Sequence, residues 1–380
     1  MSGFVEKRGP GRWRARYRGP DHRERSKTFA RRVDADRWLA GIEVAMSRGE
    51  WTDPARSRVS VGEWSREWMV SRSVSLKATT VESYRSLLER CILPTWERVP
   101  LASVGHADVA AWVATLAGQV GPSRCRKAAT LLSGIMAAAV RDQRLSRNPC
   151  VGVSLPRLPE QRQRFLTMVE LQQLAEAAGS YQAMVLVLGV CGLRFGECAA
   201  LRVRSVDLLR RRLRVSEAVS DVNGRLVWSS PKTHRSRDVP LPRSLVPMVE
   251  AAMEGKGPDE LLFLSPEGTP IRLPNWRRRV WQPAVDFAGL GHLTPHDLRH
   301  TAASLAIGSG ASVKHVQRML GHKDASMTLN VYASLFEDDL DAVSDRLDAA
   351  WLEASAASVR PAAGQEQVVL SIVPGQTAPD

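Results

Sequence analysis

No stretch of this 380-residue chain is apolar for long enough to cross a membrane. The longest apolar run, Ala183–Leu193, covers 11 residues before Arg194 closes it, whereas a span needs roughly 20. The first ten residues hold no apolar h-region, so no signal peptide is expected and the chain is expected to be cytoplasmic. Cysteine is scarce and poorly spaced: Cys91, Cys125, Cys150, Cys191 and Cys198 form no C-x-x-C pair and leave one over. That argues against both a disulfide framework and a cysteine zinc site. Tyrosine is rarer, with four in the chain. Negative charge is also short, since 40 Asp and Glu against 53 Lys and Arg leave a net +13. Such a deficit points to a polyanionic partner, because clustered cations gain affinity by releasing phosphate counterions. Charge alone does not separate DNA from RNA. What is present in quantity is core-forming material, 44% hydrophobic, enough for two or three domains at about 100–200 residues each.

The excess charge is concentrated at the start. Residues 1–50 carry 13 Lys and Arg against 7 Asp and Glu, a net +6. Trp13–Arg18 alternates apolar and basic residues, Gly19-Pro20-Asp21 marks a turn, and Arg23–Phe29 alternates again, which predicts a small β-hairpin sheet. Ala35, Trp38, Leu39 and Ile42 predict a covering helix from Asp34 onwards, leaving the arginines on a solvent face. Seven arginines between Arg8 and Arg25, interleaved with Trp13 and Tyr17, make that face a candidate for nucleic acid, with Arg14, Arg16, Arg18 and Lys27 as the contacts.

After a break at Asp53–Ser57 a cluster of helices is expected. Thr79-Thr80-Val81-Glu82 has a capping-box pattern, and Val81, Tyr84, Leu87, Leu88 and Cys91 form one apolar stripe before Pro94 should stop the helix. A second helix is expected near Asp108–Leu116. A third follows Gly121-Pro122-Ser123 and turns Ala128, Leu132, Ile135, Met136 and Ala139 inward. Arg124, Arg126 and Lys127 in its first turns oppose the helix dipole, so an external anion would relieve them; a solvated basic turn is the plainer alternative. Lys77, Thr79, Ser123, Arg124 and Lys127 are the candidate DNA contacts here. Val151–Pro159 reads as a proline-rich linker. Beyond it come a helix capped at Thr167, a buried helix over Tyr181–Gly192, a hairpin over Leu213–Trp228 turning at Asn223-Gly224, and helices from Pro274 to Ala350. The last 30 residues are rich in Ala, Gly, Pro and Gln, and their distal part is expected to be disordered.

Four segments of the third region carry chemistry. In Cys191-Gly192-Leu193-Arg194-Phe195-Gly196-Glu197 an arginine ends an apolar run, and Glu197 either neutralises Arg194 or orients it towards a phosphate. Ser230–Leu241 is a basic turn entering a strand, where a lysine could protonate a departing alkoxide; spacing does not choose between Lys232 and Arg235. In Thr294-Pro295-His296-Asp297-Leu298-Arg299-His300 the threonine caps, and His296, Arg299 and His300 share one helix face. Two histidines at that spacing could hold zinc, but the metalloprotease pattern wants Glu where Asp297 stands, so no metal is expected. Leu320-Gly321-His322 precedes Tyr332, whose bland reading is a packed helix tyrosine. Arginines, a lysine and imidazoles are nevertheless what a tyrosine needs to attack a phosphodiester. Tyr17, Tyr84 and Tyr181 fall in a sheet or on apolar helix faces.

The order G-L-R-x-G-E, hairpin lysine, H-x-L-R-H, L-G-H and a tyrosine ten residues later resembles the tyrosine recombinases, the phage-type integrases, over about 165–345. The resemblance implies a fold that is mainly α with small β-sheets (α+β), in several domains: an arm-type DNA-binding domain at 1–52, a helical core-binding domain at 58–150, a linker at 151–163, a catalytic domain at 164–345, and a C-terminal helix and tail at 346–380. It implies that Arg194 and Arg299 clamp the scissile phosphate, Lys232 protonates the leaving 5′ oxygen, His296 and His322 assist, Glu197 supports, and Tyr332 forms a 3′-phosphotyrosyl link without any cofactor. It also implies double-stranded DNA attachment sites as substrate, a homotetramer on DNA, an excisionase and a host DNA-bending factor as accessory partners, and residence at a bacterial nucleoid. A resolving recombinase, a DNA-relaxing type IB topoisomerase, a non-catalytic DNA-binding relative and a zinc hydrolase are the rival readings.

Overall fold

The computed structural model describes residues 3–49, 51–53, 56–159, 164–230, 236–322, 324, 326, 329, 332 and 340–358. The chain is mostly helical with small antiparallel sheets and divides into two compact units, Met1–Arg162 with Ser220–Val227, and Gln163–Val219 with Trp228–Asp380.

The first unit opens with three antiparallel strands in the order β1 (Phe4–Gly9), β2 (Arg12–Arg18) and β3 (Glu24–Phe29), followed by helix α1 (Arg32–Ser47). Alternation along β2 buries Ala15 and Tyr17 towards α1, whose Ala35 and Leu39 are buried in turn. Strand β1, absent from the alternation pattern, completes the sheet. Register corrects one placement: Lys27 pairs with Ala15 and Arg25 with Tyr17, so Lys27 projects to the face opposite Arg14, Arg16 and Arg18.

The helical part comprises α2 (Val61–Ser73), α3 (Ala78–Leu87), α4 (Leu93–Trp96), α5 (His106–Val120) and α6 (Pro122–Arg141). A capping box starts α2, where Ser60 Oγ accepts the Glu63 N–H at 3.1 Å and Glu63 accepts the Ser60 N–H at 3.0 Å. Thr79 does not cap its helix; α3 starts one residue before it, with Lys77 at the N-cap and no side-chain cap bond. Pro94 does not end the helical run either. Leu88–Ile92 forms a π turn, which leads into α4 with Pro94 in its first turn, where a missing N–H costs no helical bond. The expected inward face of α6 is observed: Ala128, Leu132, Ile135, Met136 and Ala139 are all fully buried.

The second unit is built round α8 (Gln182–Cys191), which follows α7 (Met168–Ala177). Thr167 caps α7 in a second capping box, with Oγ1 accepting the Glu170 N–H at 3.2 Å. A Cβ on Gly189 would come within 2.5 Å of Leu171, so α7 and α8 pack backbone-close there. The four-residue helix α9 (Phe195–Cys198) leads into strands β4 (Val206–Asp207), β5 (Arg212–Val215), β6 (Ala218–Val222), β7 (Arg225–Ser229) and β8 (Arg237–Pro240), of which the β6–β7 segment Ser220–Val227 is counted with the first unit. The hairpin is shorter than its sequence pattern: β6 and β7 pair with each other around Asn223-Gly224, while Leu213 belongs to a separate sheet of order β4, β5, β8. There Leu213 pairs with Val239, both fully buried, and this fixes where Arg237 stands at the start of β8. Helices α10 (Val246–Met253), α11 (Leu273–Trp276), α12 (Gln282–Phe287), α13 (Asp297–Gly308) and α14 (Val313–Leu320) follow. The final helix, Leu340–Ser358, leaves Leu347, Trp351 and Leu352 exposed; the side chains of Leu340 and Val343 and the tail beyond 358 lie outside the described residues. No helix among the described residues is long and apolar enough to cross a membrane.

Helix α8 ends at Gly192 in the left-handed conformation, φ +68°, where an added Cβ would lie 2.7 Å from Leu320 and 3.2 Å from Ala302. Gly192→Ala should therefore destabilise the second unit by about 1–2 kcal/mol, and thermal unfolding should register a drop of roughly 2–8 °C.

Candidate active site

The termination of α8 at Gly192 turns the chain so that Leu193 is buried and Arg194 becomes the N-cap of α9. Gly196 allows the turn to lie against β6, since a Cβ there would meet the Val219 carbonyl oxygen at 2.5 Å. Glu197, at the third position of α9, accepts the Arg194 N–H at 2.9 Å and its Nη1 at 3.0 Å. The same carboxylate takes two bonds from Arg237, Nη1 at 3.0 Å and Nη2 at 2.6 Å, in a bidentate fork. Arg237 Nε donates to the Met319 carbonyl at 3.1 Å, tying β8 to the end of α14. Burial raises the cost of charge on Glu197, but Arg237 and then Arg194 outweigh it and hold the carboxyl at about 2.

Arg299 rises from the first turn of α13 and is 3% exposed. Its Nη1 donates to the Gly192 carbonyl at 2.7 Å and its Nη2 to the Leu320 carbonyl, the C-terminal ends of α8 and α14. Both acceptors are end carbonyls without a helical partner, at the negative poles of their helices. Burial, followed by the charge of Arg194, pulls the guanidinium down to about 9. Three arginines thus share one buried carboxylate, an excess of two positive charges that an anion would neutralise.

Helix α13 begins later than its sequence suggests. Thr294 does not cap it; the N-cap is His296, and Thr294 N and Oγ1 instead donate to Asp297 Oδ2 at 2.6 and 2.8 Å. His296 and His300 stack edge to face with centroids 5.1 Å apart. Burial pushes both imidazoles below 6.5, and pushes His322, next to the end of α14, down to about 4, with Arg299 and Arg194 adding to the effect. Tyr332 is 1% exposed, and its hydroxyl sits 2.8 Å from His300 Nδ1. The other tyrosines are engaged elsewhere: Tyr17 with the Trp51 indole N–H at 3.4 Å, Tyr181 with the Leu264 carbonyl at 3.4 Å, and Tyr84 stacked on Trp68.

The structure therefore brings Arg194, Glu197 and Arg299 together, with His296, His322 and Tyr332 within reach of the same charges. Lys232 lies outside the described residues. Two members of the cluster were not assigned from sequence. Arg237 had a usable signal, as the basic residue that enters a strand directly after the hairpin; His300 was visible on the shared helix face, but nothing in the spacing tied it to Tyr332.

In the first unit, Arg16 already pairs with Glu6 at 3.1 Å and Glu24 at 3.0 Å, and Arg14 Nε donates to Ser26 at 3.0 Å. Arg18 is exposed. A shallow groove beside α3 and the start of α6 is lined by Ser83, Ser86, Ser123, Arg124 and Lys127, with Arg124 Nη2 3.4 Å from Ser86 Oγ. An adjoining groove adds Arg72 and Arg126. Lys77 stands at the start of α3, and Thr79 is exposed in its first turn.

Comparison with known proteins identifies the class. Residues 160–338 match the model of the phage integrase family, and residues 1–48 match that of the phage integrase N-terminal domain. The putative prophage phiRv2 integrase of Mycobacterium tuberculosis is 33% identical over 342 residues, covering 86% of this chain and 90% of the relative. The integrase of Mycobacterium phage L5 is 30% identical over 346 residues, covering 86% and 92%. The solved Tn1549 transposon integrase in complex with transposon right end DNA shares the fold, with a TM-score of 0.67 at 21% identity over 76% of this chain and all of that one. A lambda integrase tetramer bound to a Holliday junction matches with a TM-score of 0.58 at 18% identity, covering 84% and 96%. The chain belongs to the phage integrase family, the tyrosine recombinases. It is a site-specific DNA recombinase of the integrase kind.

Because the folded pKa of Glu197, about 2, lies below its ordinary 4.5, the carboxylate contributes stability that is complete above pH 4.5 and is lost as pH falls towards 2. The contribution is on the order of 3 kcal/mol. Arg237→Ala leaves that charge short of a partner and should cost about 3–5 kcal/mol at pH 7. The deficit should shrink by pH 3, and urea unfolding at the two pH values measures both terms.

Proposed function

We propose that this integrase cleaves and rejoins duplex DNA through a 3′-phosphotyrosyl intermediate on Tyr332, inserting or excising a phage or similar mobile element at attachment sites. The observation that carries the reading is the buried excess of guanidinium charge round Glu197, with a tyrosine hydroxyl among the same charges. Arg194 and Arg299 hold the nonbridging oxygens of the scissile phosphate, Glu197 fixes Arg194, and Lys232 protonates the leaving 5′ oxygen. His296 and His322 line the phosphate, uncharged at neutral pH. No metal or nucleotide is consumed, because the phosphotyrosyl bond conserves the energy of the broken phosphodiester for rejoining.

The match of residues 1–48 to an integrase N-terminal domain supports an arm-site role for the sheet at 1–52, read by Arg14, Arg16 and Arg18. The grooves beside α3 and α6 support a core-binding role for 58–150, through Lys77, Thr79, Ser123, Arg124 and Lys127. Four copies act on two duplexes. The exposed Leu347, Trp351 and Leu352 suit a C-terminal helix exchanged between neighbours in that tetramer. An excisionase and a host DNA-bending factor set direction, and the enzyme works at the bacterial nucleoid.

A nicked suicide duplex carrying an attachment sequence should trap a covalent adduct with the wild-type protein on a denaturing gel. Tyr332→Phe should retain duplex binding and give no adduct; an adduct of unchanged yield in that variant rules out the nucleophile. Arg18→Ala should weaken binding to all arm-type duplexes alike and lower the salt slope by about 1, read by titration between 50 and 200 mM salt.

A further inference from the structure

The Tyr332 ring packs against Phe165, centroids 6.1 Å apart, and against His300, centroids 5.9 Å apart. Its hydroxyl finds its partner among the described residues in His300 Nδ1, at 2.8 Å. Burial pushes the phenol up to about 12, with Arg299 pulling the other way. At pH 7 such a phenol is ionised in about one molecule in 10⁵, so attack on phosphorus needs a proton acceptor in contact with the oxygen. His300 meets that need. Burial, with Arg299 acting in the same direction and Asp297 against it, pushes its imidazole below 6.5 and leaves it neutral at pH 7. The charged and titratable groups round it are His296, Asp297 and Arg299 on its own helix, Tyr332, and His322 beyond α14. With Nε2 carrying the hydrogen, the Nδ1 lone pair faces the phenol.

Resting on Tyr332 as nucleophile, the geometry points to His300 as the general base of the cleavage step. Its Nδ1 takes the phenolic proton as the tyrosine oxygen bonds to phosphorus. The bond from phosphorus to the 5′ oxygen breaks with its electron pair on that oxygen, which takes a proton from Lys232. In rejoining, the 5′ hydroxyl returns its proton to Lys232 as it attacks phosphorus, and the departing phenolate recovers its own from His300. Protons and charge balance over the cycle, and no co-reactant enters. His300 is thus a catalytic residue outside the set that motif spacing supplied.

The test is the single-turnover rate of adduct formation by the full chain on the nicked attachment duplex, from pH 5 to 9. The wild-type rate should rise with pH to a plateau, half-maximal below pH 6.5. His300→Asn keeps a hydrogen-bonding group without a titrating one. It should lose about 100-fold at pH 7 and show no plateau, its rate climbing with the phenolate fraction up to pH 9. A variant with wild-type rate and profile overturns the assignment, as does a slow variant that keeps the wild-type acid limb, because position alone would then explain the loss. Duplex binding and melting temperature report folding, and His300→Gln replaces the Asn variant if the latter melts early. Tyr332→Phe runs alongside: an adduct there removes the nucleophile itself, whereas adduct loss there with an unaltered His300→Asn removes only the base.

Discussion

A buried carboxylate that accepts three hydrogen bonds from two guanidiniums and a fourth from the Arg194 backbone N–H sets the terms for the whole second unit. Glu197 cannot be left unpaired in that position, so Arg194 and Arg237 are required together, and each brings a different element with it. Arg194 carries the end of α8, and Arg237 carries β8 and, through the Met319 carbonyl, the end of α14. One carboxylate thereby gathers a helix end, a strand and a second helix end at one point. Because two guanidiniums answer one carboxylate and Arg299 adds a third, the gathering leaves positive charge over. The charge imbalance and the fold are one arrangement.

Much of this was legible in the sequence. The capping box at Thr167, the inward face of α6, the helix over the N-terminal sheet and the grouping of Arg194 with Glu197 all follow from local chemistry, in which a side chain answers a backbone group a few residues away. What was missed depends on distant partners. Strand β1 lacks its own alternation and is defined by pairing with β2. Thr79 carries the cap pattern, but packing starts α3 one residue earlier. Pro94 was read as a stop, yet the π turn before it lets the chain remain helical. Lys27 was grouped with the arginines by composition, and pairing register places it on the other face.

The same division holds in the site. Motif order assembled six positions and a supporting glutamate, because those residues recur in a fixed sequence. Arg237 and His300 act through contacts across 40 and 32 residues of chain, distances over which spacing carries no information. Each sits beside a residue the motifs did mark, which is why they surface only once the elements are packed.

The seating of Arg299 carries one last implication. A guanidinium has five N–H donors in a rigid plane, and two of them are already committed to the carbonyls that end α8 and α14. The three that remain are aimed by the protein interior before any DNA arrives. An anion meeting those donors would find its binding direction preorganised, and orienting this arginine would consume none of the free energy of binding. The same commitment makes its aim a gauge of how α8 and α14 abut, so a shift between those two helix ends would redirect the site without touching any group that meets the substrate.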